Sequence, residues 1–302
     1  MRLAKLTSII FVCVFYFILG IQTTFADHFE NREFRGDSRG PGNNELILKK
    51  SSDGEFHDRG EVVIKGGHVP NLVMSDDTIF LYFQWFPKSI HKRRWFDHIG
   101  VIVSNNLGET WSKPRGIVLS DIPNELLGPQ GRPMDPAAVS LPGGEIRLFF
   151  TLEPRQPHNR VIGDAKIYSA ISNDGVNFNF EQGVRFEIKD VELRDPAIAY
   201  FDNKWHLYCP NQKRNGTGFH SISSDGLNFK RVENVNINGP GDWLGSATTT
   251  KDSIYFYGTV WMGTSNDGIE WDRGRSIGLG PDPAILHVHE GLWLGVGFRP
   301  IR

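Results

Sequence analysis

Three things are scarce in this chain: cysteine, helical periodicity and net charge. Two cysteines in 302 residues exclude a disulfide-stapled scaffold. No stretch repeats apolar residues at the three-to-four spacing of a long amphipathic helix, which excludes bundles and coiled coils. A formal net charge of −2 argues against a nucleic-acid binder. Apolar runs are also short. The longest spans residues 9–21, follows Arg2 and Lys5, and precedes Thr24-Phe25-Ala26. That order of charge, apolar run and small-residue site predicts a secretory signal peptide over residues 1–26. An uncleaved anchor is the rival reading, but the run falls short of the roughly 20 residues a membrane span needs. Cleavage after Ala26 removes Cys13 and leaves Cys209 as the only cysteine. A secreted or periplasmic protein is therefore expected, with no membrane association after cleavage. Residues 27–44 are polar and Gly-rich and predict a flexible linker.

What the chain has instead is one turn written five times. The copies are Ser52-Asp53-Gly54-Glu55-Phe56, Ser104-Asn105-Asn106-Leu107-Gly108-Glu109-Thr110-Trp111, Ser172-Asn173-Asp174-Gly175-Val176-Asn177-Phe178, Ser224-Asp225-Gly226-Leu227-Asn228-Phe229 and Ser265-Asn266-Asp267-Gly268-Ile269-Glu270-Trp271. Ser and Asp or Asn oxygens accept hydrogen bonds from nearby backbone N–H groups, and Gly takes φ > 0 without a Cβ clash. The following aromatic anchors the turn to a sheet. One Asp-Gly turn is weak evidence; five at long, similar intervals mark a repeat fold.

Between the turns lie short apolar strands such as residues 79–83, 146–150, 205–208, 254–257 and 292–295. Each follows a second recurring element: Val69-Pro70-Asn71, Asp135-Pro136-Ala137, Asp195-Pro196-Ala197, Asp242-Trp243-Leu244 and Asp282-Pro283-Ala284. Each unit thus reads inner strand, second strand, third strand, turn, outer strand. The first turn lacks an inner strand before it, and the last unit ends after its second strand. The two halves complete each other, which predicts an all-β fold. It is a five-bladed β-propeller over residues 45–302, closed by pairing the N-terminal strand with the last blade, and a monomer is expected.

Inner strands surround the channel, so Asp135, Asp195 and Asp282 should converge near the axis, joined by Asp242 and, in the first blade, His68 or Asn71. Converging carboxylates separate an acid from a base, which is the requirement of glycoside hydrolysis. The plain alternative is that each Asp caps its strand. Glu153, beside Arg155, and Glu192 are candidate acids, Glu153 the preferred one. Arg94 with His91, Lys92 and Arg93, Arg155 and His158 with Arg160, and Lys213 with Arg214 contribute to a basic rim suited to anionic sugars. Arg194, beside Asp195, is a further candidate for binding substrate, and Trp261 is a candidate stacking platform. His287 and His289 lack a third ligand, so neither a metal nor a cofactor is expected. Asn215-Gly216-Thr217 spells a glycosylation sequon.

At Arg194-Asp195-Pro196, the repeated Asp-Pro starts and the Asp-Gly turns, the chain resembles the five-bladed glycosidase group of arabinanases, xylosidases, invertases and levansucrases. The turns are also similar to the Asp boxes of sialidases, which have six blades. The resemblance implies a carbohydrate partner and a set of one Asp from blade one, one Asp from blade two and a Glu acid from blade three. Asp135 fits the second of these. Blade one offers His68-Val69-Pro70-Asn71, and blade three offers Asp195 instead of Glu. A non-catalytic carbohydrate-binding propeller is the alternative that these departures keep open.

Overall fold

The computed structural model describes residues 41–87, 97–127, 132–153, 165–274 and 278–301. The signal peptide, almost all of the linker, and the rim residues His91, Lys92, Arg93, Arg94, Arg155, His158 and Arg160 lie outside them. Apart from a 3-10 turn at Pro41–Asn43 and one helical turn at Asn124–Leu127, the described secondary structure is strand. Strands β1 (Asn44–Ser51) and β2 (Glu61–Lys65) come first in the chain but belong to the last sheet. Blade one holds β3 (Gly67–Ser75), β4 (Thr78–Trp85), β5 (His98–Ser104) and β6 (Arg115–Gly116). Blade two holds β7 (Val118–Ser120), β8 (Pro133–Ser140), β9 (Ile146–Leu152), β10 (Lys166–Ser172) and β11 (Asn177–Phe186).

Blade three holds β12 (Ala197–Phe201), β13 (Lys204–Pro210) and β14 (Thr217–Ser223), with β15 (Lys230–Arg231) and β16 (Val235–Asn236) both paired to β14. Blade four is β17 (Ser246–Thr249), β18 (Ile254–Gly258), β19 (Trp261–Ser265) and β20 (Asp272–Arg273). Blade five runs β21 (Ala284–His289), β22 (Leu292–Pro300), then β1 and β2. The protein is thus a five-bladed β-propeller. Its closure is antiparallel pairing of β1 with β22 in unbroken register from Asn44↔Pro300 to Ser51↔Trp293. That pairing removes the two edges that an open fan of blades would expose.

A blade has two faces, and each must be covered by a neighbour, so the core is divided into layers between blades. Five clusters of buried side chains fill the five interfaces. One joins Phe80 and Tyr82 of blade one to Leu148 and Phe150 of blade two. Another joins Leu46 and Leu294 of blade five to Leu81 and Phe83 of blade one. The remaining three lie between blades two and three, three and four, and four and five.

The recurrent turns lock this ring. In the third copy, Gly175 N donates to Ser172 Oγ at 2.9 Å, and Val176 N and Asn177 N donate to Asp174 Oδ1 at 2.8 and 2.7 Å. Gly175 then meets the preceding blade: Tyr82 Oη of β4 donates to its carbonyl at 2.9 Å. A Cβ at Gly175 would lie 2.3 Å from a Phe80 ring carbon, at φ +71°, so only glycine fits. The rule repeats at the other turns. Tyr208 Oη donates to Gly268 O at 2.8 Å, Arg147 Nη1 to Asp225 O at 3.2 Å, and Tyr257 Oη to Gly54 O at 3.5 Å. At the fifth interface the apolar Leu294 faces Gly108 instead. Each turn therefore caps its own blade and grips the second strand of the one before it.

Candidate functional site

The residue before each inner-strand proline adopts a left-handed conformation: φ is 46° at Val69, 53° at Asp135, 52° at Asp195 and 49° at Asp282. Residues preceding proline ordinarily sit in the extended region. Four equivalent exceptions around one ring are therefore a built feature, and such strain collects where a side chain must be aimed. In blades one and two the backbone also slips register at this point, between His68 and Asn71 and between Met134 and Ala137.

Three of the four aimed side chains are carboxyls. Asp135 and Asp282 are buried, at 7% and 4% exposure, and Asp195 is half-buried. Asp195 N donates to Thr151 Oγ1 at 3.2 Å and approaches Asp135 Oδ2 at 3.4 Å. Burial pushes the Asp135 carboxyl up, opposed by hydrogen bonds from Thr151 and the Asp195 amide and by the charge of Arg194. Asp195 is held well above the usual carboxylate range, first by burial, then by the charges of Asp135 and Asp282. Asp282 is pushed up to about 7 by burial and by Asp135. The three therefore act on one another. All three carboxyls are thereby held above the ordinary aspartate range, by burial first.

Arg194 and Glu153 flank this cluster. Glu153 is 1% exposed and accepts from Arg194 Nη2 at 2.8 Å, while exposed Glu192 accepts from the same nitrogen at 3.3 Å. Burial would lower the Arg194 pKa, but its bonds to Glu153 and Glu192 outweigh that and raise it. Glu153 is thus engaged by a guanidinium, which suits it to orient Arg194 better than to donate a proton. A second ion pair, Arg132 with Asp97, approaches from the start of β8, and Gln84 Nε2 donates to Asp97. Asp97 in turn raises the Asp135 pKa.

The other expected site residues fall elsewhere. Asn71 is buried, and its Oδ1 accepts from Ala138 N at 2.9 Å, tying blade one to blade two. His68 packs its ring 4.1 Å from that of Phe298, and burial lowers its pKa to about 4. Asp242 is displaced from the axial position. Blades three and five start their inner strands two residues after the Asp, whereas β17 starts at Ser246, so Leu244 holds the corresponding place. Trp261 is 1% exposed, stacked on Phe256 at 5.3 Å, with Nε1 bonded to Asp242 O. It fills the layer between blades three and four and has no ring face for a sugar. Thr151, Asp97, Arg132 and Gln84 were not indicated by sequence; only the position of Thr151, two residues before Glu153, hinted at one. Among the described residues no group of His, Cys, Asp and Glu is arranged to hold a metal.

No family model matches the chain, and no curated protein does. Solved structures match by fold. A GH43 β-1,3-galactosidase superposes with a TM-score of 0.57 at 13% identity, over 83% of this chain and 94% of its own. A Bombyx mori GH32 β-fructofuranosidase in complex with sucrose gives 0.52 at 18% identity over 76% of this chain, and the chain spans 54% of that enzyme. An N-acetylgalactosamine deacetylase from F. plautii gives 0.54 at 14% identity, over 83% of this chain and 86% of its own. The protein therefore has the fold of the five-bladed propeller glycoside hydrolases. Because a deacetylase shares that fold, its chemistry must be argued from its own axial residues.

Proposed function

We propose that the protein is a carbohydrate-acting hydrolase whose reacting groups are the axial carboxyls of blades two, three and five. The observation that carries this is the placement of Asp135, Asp195 and Asp282 at equivalent left-handed positions, two of them buried and one half-buried, shifting one another's pKa. Glycoside hydrolysis needs one carboxyl that gives a proton and one that accepts a proton or attacks the sugar. Asp282, half-protonated near pH 7, meets the first need. Asp135 is the candidate for the second: burial raises its carboxyl, but the Thr151 hydroxyl, the Asp195 amide and Arg194 oppose that rise and favour its anion. Asp195, raised by burial and by the charges of Asp135 and Asp282, modulates both.

The reading extends to a secreted or periplasmic protein, on the strength of residues 1–26. It extends to an anionic polysaccharide, on the strength of the cations in residues 91–94 and 155–160. A second reading, glycan binding without catalysis, is favoured by Val69. That residue puts an isopropyl group at the blade-one position where the resembling enzymes carry an aspartate. Product release from a panel of neutral and acidic polysaccharides decides between them, comparing the wild type with Asp135→Asn and Asp282→Asn. Sugar released by the wild type and lost in both variants supports hydrolysis; binding without release in all three supports the second reading.

A further inference from the structure

Beyond the axial cluster, a cavity of about 530 Å³ opens between blades three and four, lined by Tyr200, Asp202, Asn203, Lys251, Asp252 and Asn266 among others. Asp195 precedes β12, whereas Tyr200 and Asp202 lie at and just past its other end. At about 3.3 Å per residue the two sites are separated by roughly 16 Å along the strand. The cavity thus faces the mouth opposite the carboxyls. Its volume falls within the range of about 300–1,000 Å³ usual for small-ligand sites.

The lining is built from rigid parts. Asp202 and Asn203 form the two-residue turn between β12 and β13, both left-handed at φ 48° and 56°, the geometry of a tight hairpin. Tyr200 is 41% exposed, and its ring rests against Trp205 at 5.1 Å, so an aromatic face is presented without being free to collapse. Asn266, in the turn of blade four, has its Oδ1 occupied by Ser253 Oγ at 2.8 Å, which orients its Nδ2 donors. One exposed aromatic face, amides, two carboxylates and one lysine make a polar lining with a formal charge of −1. That combination matches sugar hydroxyls and an apolar sugar face, and it does not select an anion.

We infer that this groove is a second carbohydrate-binding site that takes one or two neutral sugar rings stacked on Tyr200. It would hold a polysaccharide on the face away from the axial carboxyls. The inference rests on the carbohydrate reading above, so the test separates the two. Binding of neutral soluble polysaccharides is measured by affinity electrophoresis for the wild type, Tyr200→Ala, Tyr200→Phe and Asp135→Asn, with thermal melts confirming folding. Loss of the ring should weaken binding by about tenfold. Tyr200→Phe should bind nearly as the wild type does, and Asp135→Asn should retain binding at this groove. Unchanged binding in Tyr200→Ala, or binding lost only in Asp135→Asn, overturns the second site and leaves the axial reading standing. Absence of neutral-glycan binding by the wild type also overturns it, whereas the axial reading falls only if no sugar is released.

Discussion

Replacing Asp282 with Asn should make the protein more stable in alkali and less active at every pH. The carboxyl is buried among like groups, and its pKa rises from 3.8 to about 7. A carboxyl with a raised folded-state pKa binds a proton that the unfolded chain has already released above pH 3.8. The resulting penalty on folding is absent below that pH, grows between about 4 and 7, and is constant above. At about 1.4 kcal/mol per unit the full penalty is about 4 kcal/mol. Asn keeps the shape without the charge, so Asp282→Asn should gain up to about 4 kcal/mol at pH 8 and less than about 1 kcal/mol at pH 4. Urea denaturation at both pH values measures this, read as the change in midpoint at constant slope. Equal stability at pH 8, or a loss there, would refute the claim that Asp282 is a strained ionisable group retained for its chemistry.

Three further outcomes follow from the same structure. Tyr208→Phe removes the hydrogen bond to Gly268 O and leaves a buried carbonyl short of its donor, costing about 1–2 kcal/mol in urea unfolding without changing kcat. Val69→Asn relieves a β-branched residue from left-handed φ, and the thermal midpoint should rise by a few degrees, equivalent to about 1 kcal/mol; an unchanged midpoint would contradict the strain. His206 and His220 share a 3.1 Å hydrogen bond and are depressed to about 4 and about 3, mainly by burial. Their unfolded forms bind protons first, so acidification through pH 6 to 4 destabilises the wild type. His220→Phe should therefore lose about 2 kcal/mol less than the wild type between pH 7.5 and 4.5 in chemical denaturation.

How far the chain could be read from sequence depended on whether a local signal was unique to one role. The five turns were legible because a Ser, an Asp or Asn and a Gly recur in that order, although the closing serines of the first and fourth copies are Ser51 and Ser223, one residue before the expected Ser52 and Ser224. The closure by β1 was legible because two incomplete units demanded it. Asp135, Asp195 and Asp282 stood out because a proline follows each. Asp242 had no proline after it, and the strand start proved to be two residues further on. Trp261 was ambiguous in principle: a blade is covered on both faces, so a tryptophan that packs between blades has the same sequence context as one at the rim. The left-handed geometry before each proline runs against the ordinary preference and had no sequence marker. Thr151, Arg132 and Asp97 act through contacts between segments far apart in the chain.

The central claim is that the three axial carboxyls form one proton-sharing site. Carbon-13 NMR titration of the aspartate side-chain carboxyls, assigned through Asp135→Asn, Asp195→Asn and Asp282→Asn, tests it most directly. The account predicts a midpoint near 7 for Asp282, a higher-than-usual midpoint for Asp195, and a fall in the Asp282 midpoint when Asp135 is replaced. Three independent titrations near 3.8, each unmoved by loss of the others, would contradict it.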